Sequence, residues 1–158
     1  MNEIVKHLTD AHKEYLEELT AFETKLCGPL TENPRETLQK FLDLIGKLEH
    51  HFIDEERIVF PELDKLPRKQ PLSLAHLEHD DLKRIQQIAT LNIERVVKYQ
   101  GEQAIVPAAN TACILIKFIK RHFMLEEEVI FPLIPNLQEE QQKKILLAVE
   151  KAEQGARP

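Results

Sequence analysis

The chain has 158 residues, with 27 acidic against 21 basic side chains, 42% hydrophobic residues, four glycines and no tryptophan. That is long enough for one domain with its own core, and a formal net charge of −6 without any basic run argues against a nucleic-acid surface. The opening MNEIVKHLTD carries charge where a signal peptide needs an apolar stretch, and ACILIKFI, which contains Lys117, falls well short of the roughly 20 residues of a membrane span, so a cytoplasmic protein without membrane contact is expected.

A first helix is expected from about Asn2 to about Leu26, because Ile4, Leu8, Tyr15, Leu19, Phe22 and Leu26 recur mostly at gaps of three and four. His12 takes the place on that stripe between Leu8 and Tyr15. Cys27-Gly28-Pro29 breaks the pattern. A second helix starts at Asn33-Pro34-Arg35-Glu36, read as an N-cap, a first-position proline and a first-turn glutamate. Its stripe runs Phe41, Leu44, Leu48, His51, Glu55 and Ile58, and Pro61 ends or kinks it. A third helix begins near Pro71 and reaches about Lys98 through Ala75, His79, Leu82, Ala89, Ile93 and Val96. After Gly101, a fourth opens at Pro107 and carries Ala108, Ala112, Leu115, Ile119, His122, Glu126 and Val129 before Pro132 and Pro135 close it.

A short fifth helix, at about 137–153 and capped by Asn136, presents Ile145 and Val149. It either covers a bundle seam or pairs between subunits, so a homo-oligomer stays open. Short linkers predict an all-α, up-down-up-down four-helix bundle with this extra C-terminal helix. The whole chain, 1–158, reads as a single domain with its core bundle over about 3–132. Cys27 and Cys113 form no CxxC pair, so neither a disulfide scaffold nor a zinc ribbon is expected, and Cys113 reads as buried and inert.

Two segments nearly repeat: His51 to Pro61 is HFIDEERIVFP and His122 to Pro132 is HFMLEEEVIFP. Positions four apart lie on one helix face, so His51 points with Glu55 and His122 with Glu126, all toward the predicted core. A carboxylate there costs several kcal/mol to desolvate unless it is paired or bound to a cation. Arg57 and Arg121 fall on other faces, while Lys47 and Lys83 sit at stripe edges, from which they can snorkel to water. Metal ions supply the missing charge. His12, His51, His79, His122, Glu55 and Glu126 provide four imidazoles and two carboxylates, which suits two metals bridged by the two carboxylates. Iron or manganese fits this donor set better than a thiophilic ion, and zinc is admitted because geometry and supply also decide selectivity. The competing account, a satisfied polar network, gives no reason for both glutamates to follow a histidine by four.

The set of His12 in DAHKEYLEEL, His51 and Glu55 in HFIDEERIVFP, His79 in LEHDDLKRI, and His122 and Glu126 in HFMLEEEVIFP resembles the hemerythrin-like, or HHE cation-binding, family over about residues 3–132. The resemblance implies a bundle holding a non-heme di-iron centre with an oxo or hydroxo bridge, binding dioxygen or nitric oxide. By that pattern His12 and His51 hold one iron, His79 and His122 the other, and Glu55 and Glu126 bridge. Oxygen carriers of the family have HxxxH on the third helix and HxxxxD on the fourth. This chain has His76 and His79 spaced HxxH, and HxxxE. The resemblance therefore implies sensing, storage or stress defence, or else an oxidase, peroxidase or nitric oxide reductase chemistry, more readily than reversible oxygen carriage. The family's iron–sulfur repair proteins share the four-histidine, two-glutamate pattern but add a cysteine-bearing domain that nothing here matches. Around the site, His76 is a candidate fifth imidazole, Tyr15 a candidate hydrogen-bond partner, and Glu56 and Glu127 are expected to be solvated or to position a ligand histidine. Leu48, Leu82, Leu115 and Ile119 should wall it above and below.

Overall fold

The computed structural model describes residues 1–30, 33–67, 70–99 and 101–155, and among these there is helix and no strand. The elements are α1 (Glu3–Leu26), α2 (Pro34–Asp54), α3 (Phe60–Leu63), α4 (Gln70–Tyr99), α5 (Ile105–Leu125) and α6 (Glu139–Gly155). A π-helical turn, Glu55–Val59, joins α2 to α3, and a second, Glu126–Ile130, follows α5. A single 3-10 turn precedes α5 (Glu102–Ala104), and a six-residue 3-10 helix (Phe131–Asn136) follows the second π turn.

Local chemistry sets several of these limits. Asn2 caps α1, its side-chain oxygen accepting from the amides of Ile4 and Val5 at 3.0 and 3.3 Å. Asn33 does not cap α2 in the way its sequence context suggests. It adopts the left-handed region, φ 57°, which Asn tolerates better than most residues, and its side chain makes no cap hydrogen bond. Pro34 keeps the first helical position, where a missing N–H costs nothing. Asn136 does not cap α6 either. The helix starts at Glu139, and the Gln141 side chain accepts from the Gln138 amide at 3.0 Å, half of a capping box.

The two π turns change which residues are buried. A proline clashes with the carbonyl four residues back, and for Pro61 and Pro132 those carbonyls belong to Arg57 and Glu128, inside the π turns. The widened turn hands the Phe60 amide to the Glu55 carbonyl and the Phe131 amide to the Glu126 carbonyl. The extra residue rotates everything downstream by about 100°. Where regular helix predicts Ile58 and Val129 facing the core, Val59 and Ile130 are fully buried and Val129 is 36% exposed.

α1, α2, α4 and α5 pack as a ring: α1 on α2, α2 on α4, α4 on α5, and α5 on α1, with α4 and α5 the most extensive pair. Two apolar clusters fill the interior. One holds Leu19, Leu48, Phe52, Leu82, Leu115, Ile119 and Phe123, and the other Leu8, Val59, Phe60, Ala75, Ile130 and Phe131. Each fully buried Leu, Ile or Phe stabilises the fold by about 1.5–3 kcal/mol. Along α1 and α4 the chain passes from the second cluster to the first, and along α2 and α5 it passes back. His12, His51, Glu55, His79, His122 and Glu126 lie where the helices cross between clusters.

α6 rests on α1 and on the Glu55–Val59 turn, burying Ile145 and Val149 in the second cluster, so it covers a seam of this chain. The buried Glu62 fastens it: Lys144, Lys65 and Gln141 all hydrogen-bond that carboxylate. The reading of Cys113 as inert does not hold. Cys27, just past α1, and Cys113, on α5, form a disulfide with a Cα–Cα distance of 5.6 Å, a pairing that 86 residues of separation hid. The segment Glu102–Asn136 is, by length and composition, apolar enough to cross a membrane, contrary to the expectation from its short uninterrupted run. Here it is a core helix with its turns, packed on α1, α2 and α4.

Candidate metal centre

Between the two apolar clusters lies a polar layer. His12 on α1, His79 on α4 and His122 on α5 have side chains with no exposure, His51 on α2 has 9%, and Glu55 and Glu126, which open the two π turns, have 1% and none. The imidazoles sit in edge-to-face pairs, His12 with His51 at 5.1 Å between ring centres and His79 with His122 at 4.6 Å.

All four rings turn Nε2 toward the two carboxylates. One oxygen of Glu55 is 3.3 Å from His51 and 3.6 Å from His12, and its other oxygen is 3.6 Å from His79. One oxygen of Glu126 is 3.1 Å from His122 and 3.3 Å from His79, and its other oxygen is 3.4 Å from His12. Each glutamate thus spans the two histidine pairs. Donors about 2.1 Å from a shared ion stand about 3.0–3.4 Å apart, a range that four of these six separations meet and that the two 3.6 Å separations to Glu55 slightly exceed.

The hydrogen bonding points the same way. Nε2 of His12, His51 and His122, both oxygens of Glu55 and one of Glu126 are buried without a hydrogen-bond partner among the described residues. Buried polar atoms left unmade cost about 1–3 kcal/mol each, and a fold that concentrates them in one layer leaves room for a cation to satisfy them. Two groups of potential ligand atoms lie within 4.8 Å of one another: Glu55, His79, His122 and Glu126, and His12, His51 and Glu55. The donor set fits metal ions.

Without metal, protons would carry the compensating charge. Burial alone would lower the His12 pKa, but Glu126 and Glu55 beside it outweigh that and raise it to about 10. Burial opposes His122 ionisation too, and Glu126 overcomes it, so its pKa is also raised. Burial would push Glu126 and Glu55 upward. The histidines around them prevail, holding Glu126 well below the usual carboxylate range and Glu55 below it.

Outside this layer, three carboxylates grip the other ring nitrogen of three histidines. Nδ1 of His12 donates to Glu127 at 3.0 Å, Nδ1 of His79 to Glu56 at 3.0 Å, and Nδ1 of His122 to Glu78 at 2.9 Å. Such partners fix the ring and the tautomer that presents Nε2 to a metal. Lys83 in turn donates to Glu56 at 2.9 Å. Burial works against Glu56 ionisation, but Lys83 and His79 hold its carboxyl below the ordinary range. Glu56 and Glu127 belong to one repeat segment each and serve the histidine of the other half.

The aromatic letters of the repeat act across halves as well. Phe123 stacks on His12 at 3.9 Å and Phe131 lies 5.1 Å from it, while Phe52 and Phe60 lie 5.2 and 5.1 Å from His79. Every letter of HFxxEE and FP now has a place: a histidine and a glutamate facing the layer, a carboxylate and two rings holding the other half's histidine, and a proline after the π turn.

All six residues singled out by sequence come together. His76 does not join them: it is 44% exposed, 3.7 Å from Asp64, with its ring against Phe60. Tyr15 lies ring against ring with His51 at 5.2 Å, and no hydrogen bond from its hydroxyl appears among the described residues. Leu48, Leu82, Leu115 and Ile119 are fully buried but do not wall the layer above and below: all four lie on one side, and Leu8, Val59 and Ile130 of the second cluster supply the other. Glu78 was not legible as a partner of His122. It precedes His79 by one residue, and only the packing of α4 on α5 turns it to its partner.

An all-helical fold with a buried layer of histidines and glutamates defines a metal-binding helical protein. The profile described as hemerythrin HHE cation binding domain matches residues 3–134, and the chain belongs to that family. No curated protein and no solved structure matches it.

Proposed function

We propose that the chain is an up-down-up-down four-helix bundle, built from α1, α2, α4 and α5 with their continuing turns, that holds two iron ions. His12 and His51 would hold one, His79 and His122 the other, and Glu55 and Glu126 would serve both. The observation that carries this reading is the layer of partnerless Nε2 and carboxylate atoms, spaced as ligands around shared ions. When bound, an iron pair supplies redox-active Lewis-acid positions for a small ligand such as dioxygen or nitric oxide. The protein's own part is to orient the imidazoles through Glu56, Glu78 and Glu127, to exclude bulk water with the apolar clusters above and below, and to place two anions where two cations need them.

Binding for sensing, storage or stress defence is the first reading. An oxidoreductase is the second, and one feature favours it: Tyr15 and Asp54 share a cavity wall with His51 and Glu55 and supply a hydroxyl and a carboxyl near the layer. Protein loaded with iron should contain two ions per chain and show near-ultraviolet and visible absorption. A colourless, metal-free product after loading rejects the iron pair. Mixing the reduced protein with dioxygen, then with nitric oxide, separates the readings: a lasting adduct marks binding, and consumption over many turnovers marks an enzyme. A cytoplasmic setting is part of the proposal. The Cys27–Cys113 bond sits less easily there, because cytosolic thiols are kept reduced, and thiol alkylation of protein taken directly from cells decides the point.

A further inference from the structure

Three of the four layer histidines are held from behind by a carboxylate, and the fourth is not. Nδ1 of His51 meets no hydrogen-bond partner among the described residues, whereas His12, His79 and His122 each donate to a glutamate. The pseudo-symmetry of the two halves shows why. His122 on α5 is gripped by Glu78, the residue before His79 on the neighbouring α4. The corresponding residue beside His51 is the one before His12 on the neighbouring α1, and that residue is Ala11.

A cavity of about 190 Å³ lies at this place, lined by Ala11, Tyr15, His51, Asp54 and Glu55 among others, and roofed by Val149 and Glu153 of α6. It has room for about six waters at ~30 Å³ each. It reaches two residues of the layer, His51 and Glu55, and His51 alone of the four histidines has any side-chain exposure. The larger groove between α2 and α4 touches none of the six.

We propose that this cavity is the port through which small exogenous ligands reach the layer, and that alanine at position 11, in place of a counterpart to Glu78, keeps it open. The ligand class is set by size and by the wall: neutral or anionic molecules of two or three heavy atoms, able to pass between a tyrosine ring and an unheld imidazole. The proposal rests on the metal-binding reading for its purpose but not for its geometry.

Two probes test it on the full chain. Diethyl pyrocarbonate acylates accessible, uncharged and unligated imidazoles, so it is applied to the metal-free chain, where peptide mass spectrometry resolves His51 from its exposed neighbour His50. Azide then reports on the iron-loaded protein through its absorption band. Ala11→Leu fills the port without adding charge, and should slow both His51 acylation and azide association at least tenfold, with iron content unchanged. Ala11→Glu should slow them too. Unchanged His51 acylation in a folded Ala11→Leu chain overturns the port. Should Ala11→Leu fail to fold, Ala11→Val is read in the same way. If no iron loads, the acylation rates alone decide, so failure of the metal reading and failure of the port remain distinguishable.

Discussion

The two halves of this protein carry the same motif and end in different surroundings. In both, a histidine and a glutamate four apart face the layer, the second glutamate and two phenylalanines reach across to the other half's histidine, and a π turn begins at the layer glutamate. The α4–α5 half is closed: Glu78 holds His122, Leu82 stands where the first half has Tyr15, and both histidines are fully buried. The α1–α2 half is open at Ala11 and roofed by α6. Duplicated letters therefore produce a shared inner arrangement, and the unduplicated residues beside them decide which half meets solvent.

The largest effect should come from removing what the halves share. Glu55→Ala or Glu126→Ala takes away a carboxylate that spans both histidine pairs, so metal content should fall below two per chain by elemental analysis. Full occupancy in both variants would remove the bridging role. The next effect concerns the tie between halves. Cys27→Ser opens a link spanning 86 residues of sequence and should cost about 2–4 kcal/mol by denaturant titration under oxidising conditions; an unchanged midpoint would mean that the bond does not form in solution.

Smaller still are the carboxylates behind the histidines. Glu78→Ala, Glu56→Ala and Glu127→Ala should each weaken metal binding about 10–100-fold by competition with a chelator. Equal losses from Glu56→Ala and Glu127→Ala would sharpen the equivalence of the halves, and a loss confined to one of them would break it. The smallest effect lies in α6, which only the open half carries. Lys144 first, then Lys65 and Gln141, hold the Glu62 pKa down to about 2, against opposition from burial. A carboxylate depressed in the fold contributes stability above its unfolded value near 4.5, and that contribution is lost as pH falls from there toward about 2. The exposed lysines are screened, so Glu62→Gln should cost no more than about 1 kcal/mol. Amide exchange in α6 should accelerate in the variant at neutral pH and in the wild type only in acid; matching profiles at all pH values would show that Glu62 does not fasten the helix.

Much of the site was legible because it obeys helical spacing. His12, His51, Glu55, His79, His122 and Glu126 all fall on apolar stripes, where an ionisable residue needs a reason. Glu56 and Glu127 were legible only as candidates for positioning a histidine, since their partners lie on helices distant in sequence. Glu78 and the Cys27–Cys113 bond left no local trace for the same reason. The buried places given to Ile58 and Val129 went to Val59 and Ile130, because a regular 3.6-residue repeat takes no account of a π turn.

By itself, the amino-acid order determined a helical chain with breaks at glycine and proline, and two histidine–glutamate pairs that must share a face, because spacing along one helix is a local property. Only the tertiary structure decided which carboxylate stands behind which imidazole, where α6 lies, and that one histidine is left unheld beside a cavity. Those outcomes depend on which helix lies next to which, and side chains from separate helices meet only after the apolar clusters have brought those helices together.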